Sequence, residues 1–259
     1  MIIYGFHALE SLLEADQKVH SVHALFKPDS DRLKKVRPMV QKKNIPWKEY
    51  SQKERARFES EFRRLGGDIE ELESTQGIFA QVPDPAPVEL AELLKLAREK
   101  EEYPVILFLD SITDPQNLGS MLRSSAFFNV AGIAVTEHRS SPLTAAAIKI
   151  SSGGFAHVPI ARVTNLVQGL EAAKEAGFWV VGLSEHATEL FERARVDAPI
   201  ALVVGNEEKG IRPLTEKNCD YTLSLPALGP IKSLNAATAA AVALALLRHR
   251  QQHDALNRK

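Results

Sequence analysis

The chain has 259 residues, 44% of them hydrophobic and 25% charged, with a formal net charge of −1. This is ordinary globular material, enough for one large domain or two smaller ones, and it excludes fibrous and disordered classes. The single cysteine, Cys219, excludes an internal disulfide framework and a cysteine-based zinc cluster; it reads as a small buried or half-buried apolar residue in a reducing compartment.

In chain order, the opening MIIYGFHALESLL has no basic region ahead of a long apolar one. Nowhere does an uncharged apolar run reach the roughly 18 residues of a membrane span, so a soluble cytoplasmic protein that stays out of the membrane is expected. Up to residue 82, the strand-like runs VHALF (22–26) and GIFAQV (77–82) alternate with charged helical stretches, giving a small α/β unit. The charge is uneven: residues 27–64 hold 13 Lys+Arg against 6 Asp+Glu, net +7, and residues 65–102 hold 3 against 10, net −7. A basic block beside an acidic one reads as a phosphate-contacting surface followed by a linker, or equally as helices solvating themselves. PDPAP (83–87) is a linker, because its prolines block both helix and ladder hydrogen bonding.

Beyond it, apolar β-rich runs recur: VILFLD (105–110), GIAVTE (132–137), HVPIA (157–161), WVVGLS (179–184), IALVVG (200–205) and YTLSLP (221–226). Helical stretches or loops separate them, and such strands predict a parallel sheet covered on both faces. The final SLNAATAAAVALALLRHR predicts a long buried helix capped by Ser233.

Ligands of such sheets sit outside the carboxyl ends of the strands. Three loops there carry polar side chains. SITDPQNLGSMLRSSAFF follows the first strand, with Asn117 as a helix cap and Arg123 almost two turns on; NEEKG follows IALVVG; and ALGPIKSLN follows YTLSLP, with Ser233 and Asn235 at a helix start. Taken singly, each has a plain explanation as a cap, a solvated helix residue or a turn glycine.

Several site classes lack support in the residues. The glycines of GNEEKGI are spaced as in a phosphate loop, but Ile211 stands where that loop needs Lys, and Glu207 and Glu208 would repel a triphosphate. No G-x-G-x-x-G follows a strand. Neither H-E-x-x-H nor a deaminase zinc signature is present, and His7, His157 and His186 are scattered, so no metal is expected.

Together the loops carry a resemblance. DPQNLGSMLRSSAFFNV, LVVGNEEKGI and LPALGPIKSLNAATA resemble, in order, motifs 1, 2 and 3 of the SpoU branch of the SPOUT family, S-adenosylmethionine-dependent RNA ribose 2′-O-methyltransferases. The likeness runs from about Val105 to Arg250 and takes in RSSPLTAAAIKISSGGFAHVPIARVTNL between motifs 1 and 2. YGFHALESLLE and TQGIFAQV are similar to the two ends of the small RNA-binding domain that precedes the catalytic domain in members acting on guanosine in 23S rRNA.

The resemblance implies an α/β protein: an RNA-binding domain over 1–84, a linker and first helix over 85–103, and a parallel-sheet catalytic domain over 104–259 with a C-terminal trefoil knot. It implies S-adenosylmethionine as cofactor, RNA (23S rRNA) as partner, and a homodimer whose interface completes the site. Cofactor contacts fall on Gly205, Asn206, Gly210, Leu225 and Leu234, with Gly205 admitting the ligand to the backbone; catalytic roles fall on Asn117, Arg123, Glu207, Ser233 and Asn235. The resemblance casts Arg123 as the group acting on the 2′-hydroxyl, but a guanidinium is a poor proton acceptor and better suits clamping the adjacent phosphate; Glu207 would orient Arg123 or take up the proton, and Asn117 and Asn235 would hold the constellation. Glu208 departs from the family's usual glycine, Ala237 from a serine and Ala227 from a methionine; the first would narrow or recharge the cofactor loop. A tRNA methyltransferase and a catalytically silent RNA-binding protein of the same fold are the alternatives.

Overall fold

The computed structural model describes every residue except 27–29, 85, 139, 192–193, 195–196, 232 and 258–259, with 254–257 described by their backbone only. Lys27 and Asp29 of the basic block, Pro85 of the proline segment, Arg139 of the segment between motifs 1 and 2, and Lys232 of the third motif therefore lie outside the described residues. The described chain forms two compact units, Met1–Ala86 with Thr144–His157, and Pro87–Leu143 with the chain from Val158 onward.

Unit 1 begins β1 (Ile2–Tyr4), α1 (Phe6–Glu14), β2 (Ser21–Leu25), α2 (Asp31–Lys42), β3 (Trp47–Tyr50), α3 (Arg55–Arg64) and β4 (Ile78–Gln81). The sheet order is β1-β4-β2-β3, antiparallel except for the β2–β3 pair. VHALF and GIFAQV supply the two central strands. β1 and β3 went unread in the sequence, because three or four residues at a sheet edge carry too little periodicity to register. An aromatic cluster of Tyr4, Tyr50, Phe58, Phe62 and Phe79 fills the core.

His23 of β2 lies in that core, stacked on Phe79 at 4.6 Å between ring centroids. Its Nε2 meets the Ser21 hydroxyl at 3.0 Å and its Nδ1 the Tyr50 hydroxyl at 3.1 Å. Burial, with Lys48 nearby, pushes its pKa down to about 4, so it is neutral in the fold.

The basic block is largely paired within unit 1. Lys35 meets Glu10, Arg37 meets Glu49, and Lys48 and Arg64 share Glu61, whose carboxyl is pulled down to about 2 by Arg64 hydrogen bonding. These pairs sit at a solvated surface, where each contributes little and an incoming phosphate can compete for the cation.

Residues 144–157, which division of the sequence at the proline segment assigns to the catalytic part, pack with unit 1. They form α6 (Ala145–Ile150) and a 3-10 turn, Gly154–Ala156. Ala145 joins the aromatic cluster, Lys149 Nζ lies 5.7 Å from the Tyr4 ring centroid, and Gln17 donates to the Ala156 carbonyl at 3.2 Å. Gly153, at φ +94°, is required because a Cβ there would overlap the Ser11 side chain.

Unit 2 contains α4 (Leu90–Lys100), β5 (Val105–Asp110), α5 (Pro115–Phe127), β6 (Gly132–Thr136), β7 (Ile160–Val163), α7 (Leu166–Glu175), β8 (Trp179–Leu183), β9 (Ile200–Gly205), α8 (Pro213–Lys217), β10 (Tyr221–Leu223) and α9 (Ala236–Asn257). All six strands are parallel, in the order β10-β8-β9-β5-β6-β7. The chain first builds outward from β5 through β6 to β7, then crosses to the other side, so the order reverses at β5. Such a reversal leaves a crevice at the carboxyl ends of the strands.

The runs VILFLD and IALVVG are β5 and β9 to the residue, both fully buried. HVPIA is displaced: the strand begins after Pro159, which has no N–H for the ladder. Cys219 is half-buried, its thiol pushed up to about 12 by burial, and donates weakly to the Thr215 carbonyl at 3.5 Å.

Candidate active site

The three polar loops meet at the carboxyl ends of β5, β9 and β10. After β5 the chain enters α5, with Asp114 rather than Asn117 as its cap: Asp114 Oδ1 accepts the Gln116 N–H at 2.8 Å and Pro115 occupies the first turn. Asn117 is thereby free for another task. It is only 4% exposed, its Nδ2 donates to Glu207 Oε1, and its Oδ1 accepts from Asn235 Nδ2 at 2.8 Å. Asn235 in turn caps α9, its Oδ1 accepting the N–H groups of Ala237 at 2.9 Å and Thr238 at 3.3 Å. The expected cap, Ser233, lies outside the helix because Asn235 starts it two residues later.

Carboxylate, amide, amide and helix N-terminus thus form one hydrogen-bonded series. Each link polarises the next, and the α9 N-terminus sits at the end opposite the negative charge. The arrangement holds the Glu207 carboxylate in a defined place while the residue remains exposed.

The loop after β9 is a closed turn. Asn206 and Gly210 exchange backbone hydrogen bonds at 3.1 and 2.8 Å, and Asn206 Oδ1 accepts the Glu208 N–H at 2.9 Å. A Cβ on Gly205 would overlap the Gly210 carbonyl group and the Ile211 nitrogen. The glycine is therefore required by the loop's own closure, which is a different reason from the ligand approach expected from the sequence. Gly210 lies at φ +62°, where a side chain is strained. Glu208 is exposed and off the cavity wall, so it does not narrow the cavity.

A cavity of about 300 Å³ opens beside this loop. Gly205, Asn206, Glu207, Leu225, Ser233 and Leu234 line it, as does Ala227. Sequence reading missed the end of β8, Leu183 to Glu185, and the small residues Ala236 and Ala239 of α9. The carboxyl-end rule applied to β8 would have found the former. The charged side chains on the described lining are both carboxylates, Glu185 and Glu207, so the cavity suits a cationic ligand and opposes a polyphosphate. Among the described residues no group of His, Cys, Asp and Glu is arranged to hold a metal ion.

Arg123 is not brought to this point. Six residues beyond Asn117 is about 240° around an α-helix, so the two side chains leave α5 on different faces. Arg123 is exposed and has no ion-pair or hydrogen-bond partner among the described residues; Glu207 is met by Asn117 instead. On the same face, one turn on, Phe127 is 81% exposed. Near the cavity, Leu228 is 97% exposed and Ile231 and Leu234 are also open.

Comparison with known proteins agrees with this geometry. Residues 104–245 match the model of the SpoU rRNA Methylase family. The chain is 44% identical over 64% of its length to the putative TrmH family tRNA/rRNA methyltransferase YacO of Bacillus subtilis (strain 168), and the match spans 66% of that protein. It is 34% identical to the 23S rRNA (guanosine-2′-O-)-methyltransferase RlmB of Yersinia pestis, over 94% of both chains. The crystal structure of the SpoU methyltransferase AviRb from Streptomyces viridochromogenes, in complex with AdoMet, shares the fold at a TM-score of 0.75 and 22% identity, covering 98% of this chain and 91% of that one. With three motif loops joined in one hydrogen-bonded site and a relative matched almost end to end, the chain belongs to the SpoU rRNA methylase family.

Proposed function

We propose that this protein is an S-adenosylmethionine-dependent RNA methyltransferase that methylates a ribose 2′-hydroxyl, with a guanosine of 23S rRNA as target. The observation that carries the reading is the Glu207–Asn117–Asn235 series at the rim of a cavity whose charged walls are carboxylates. That cavity fits the cofactor: its volume and apolar walls suit an adenosyl group, and Glu185 and Glu207 complement a positive sulfonium. Glu207, Asn206 and the backbone of Gly205 and Leu225 would hold it, and when bound it supplies an activated methyl group.

The chain's own task is then to align the 2′-oxygen and manage its proton and charge. A guanidinium holds its proton too tightly to serve as a base, so Arg123 clamps the adjacent phosphate and stabilises developing alkoxide character. Glu207, held by Asn117, accepts the proton or orients the group that does. Asn235 fixes the start of α9 against the site, and Ser233 lines the cavity.

Arg123 leaves α5 away from Glu207, and this supports a homodimer in which each copy's Arg123 completes the other's cavity. Phe127, Leu228 and Ile231, exposed in one chain, are the apolar surface such a contact would cover. The strand order, and the sharing of one cavity by Leu225 to Gly229 with Gly205 to Glu207, suit the trefoil threading. Residues 1–84 recruit the RNA, and the protein acts in the cytoplasm; no helix among the described residues is long and apolar enough to cross a membrane.

The test is transfer of labelled methyl to 23S rRNA and to tRNA with chelator present. Label on a ribose 2′-oxygen of 23S rRNA is expected. Label confined to tRNA would redirect the substrate, and RNA binding without cofactor binding would make this a silent RNA-binding protein. Chains carrying Arg123→Ala and Asn235→Ala, each inactive alone, should regain activity on mixing, since a mixed dimer contains one intact site; no recovery would remove the shared site.

A further inference from the structure

Asp110 ends β5 in register with Gly205 of β9 and is fully buried. Its Oδ2 accepts the backbone N–H of Arg212 at 2.9 Å, and its Oδ1 accepts Arg212 Nε–H at 2.6 Å and the Ser111 hydroxyl at 3.2 Å. Ser111, at φ +64°, turns its carbonyl to accept from Asn206 Nδ2 at 3.3 Å. The loop running from Asn206 to Arg212 is thus tied at both ends to two adjacent residues, 110 and 111.

A carboxylate without access to water is costly unless donors surround it, and here a backbone amide, a guanidinium and a hydroxyl do so. The Arg212 side chain is 39% exposed, so filling the core is not its task. Neither residue lines the cavity, yet the loop they tie down carries Asn206 and Glu207, which do. Glu207 to Gly210 are exposed, with no packed core of their own to set their place.

We infer that Asp110 and Arg212 are a positioning pair for methyl transfer, setting the loop from Asn206 to Gly210 so that Glu207 meets Asn117 and the cavity keeps its shape. This rests on the cavity being the cofactor site. An amide at 110 sets an N–H₂ donor against one of the two Arg212 donors that now meet separate oxygens, so the loop's return would loosen while β5 and β9 stay paired along their length.

The test uses full-length Asp110→Asn, Arg212→Gln, the double variant and Leu234→Arg, with cofactor Kd, single-turnover rate and Tm measured for each. Asp110→Asn and Arg212→Gln are expected to weaken cofactor binding or slow turnover by roughly tenfold or more, the loss of a charge-assisted hydrogen bond. The double variant should be no worse than the poorer single one, because both break the same clamp. Leu234→Arg, which places a cation in the cavity wall, should weaken cofactor binding without involving the clamp. If Arg212→Gln lowers Tm but keeps parental Kd and rate, or if the single losses multiply in the double variant, the pair is not a positioning device. Should Asp110→Asn fail to fold, the partly exposed Arg212→Gln decides alone. Unchanged cofactor binding in Leu234→Arg would instead overturn the cavity assignment and leave the clamp's effect to be judged by turnover.

Discussion

Asn235 donates to Asn117 across 118 residues of sequence, from Nδ2 to Oδ1 at 2.8 Å. That bond decides which way the Asn117 amide faces, and so presents its N–H to Glu207. An aspartate cannot replace Asn117, because it has no donor for the carboxylate.

Asn117→Asp should therefore place a second, buried carboxylate against Glu207. At neutral pH turnover is expected to fall by about 10²-fold or more, as for loss of a preorganised donor. Two carboxylates that close share a proton as pH falls, so partial recovery below neutral pH is expected. Asn117→Ala should be low at every pH. A pH–rate profile of both variants separates them, and equal flat profiles would show that the amide donor is not what matters.

Arg123 is predicted to act through its guanidinium geometry. Arg123→Lys keeps the charge but loses the planar fork, and single-turnover methyl transfer should fall by roughly 10²-fold. Because the residue is exposed and unpaired within the described chain, Tm and cofactor affinity should barely move, with stability changed by about 0.5 kcal/mol or less. Near-parental turnover in both Arg123→Lys and Arg123→Ala would take it out of the mechanism.

His23 predicts an acid limit to unit 1. Its pKa falls from the ordinary 6.5 to about 4 on folding, so the stabilisation is fully present above 6.5 and is lost as pH drops from 6.5 towards 4. The Glu61 contribution lies lower: its carboxyl is depressed from 4.5 to about 2, and its stabilisation is present above 4.5 and lost below. Thermal melts of the parent should decline between pH 6.5 and 4, and those of His23→Gln, which does not titrate, should be flatter there. Parallel curves would rule out His23 as the group responsible.

Removal of residues 1–84 should leave α6 without its packing partners. Ala147 and Ile148 are buried, and exposing a side chain such as Ile148 costs roughly 1.5–3 kcal/mol. The truncated protein is expected to melt at a lower temperature and to aggregate more readily than the full chain, besides binding RNA with a shallower salt dependence. Melting and light scattering at equal concentration test this; an unchanged Tm would mean that Thr144–His157 does not depend on the first 84 residues.

The sequence by itself determined β5, β9 and the crevice-forming loops, because a strand buried on both faces must be apolar throughout and its end is marked where polar residues begin. The resemblance to three family motifs pointed to Asn117, Glu207 and Asn235 for the same site. Tertiary structure alone decided what each residue does there. Whether Asn117 caps its helix or reaches Glu207 depends on Asp114 having already taken the cap, and Gly205 is required by a backbone that returns on itself at Gly210. The Asp110–Arg212 clamp and the packing of Thr144–His157 with the first unit left no local mark either. Such pairings join residues far apart in the chain, and their free energy comes from burial and hydrogen-bond geometry that exist only once the fold has closed.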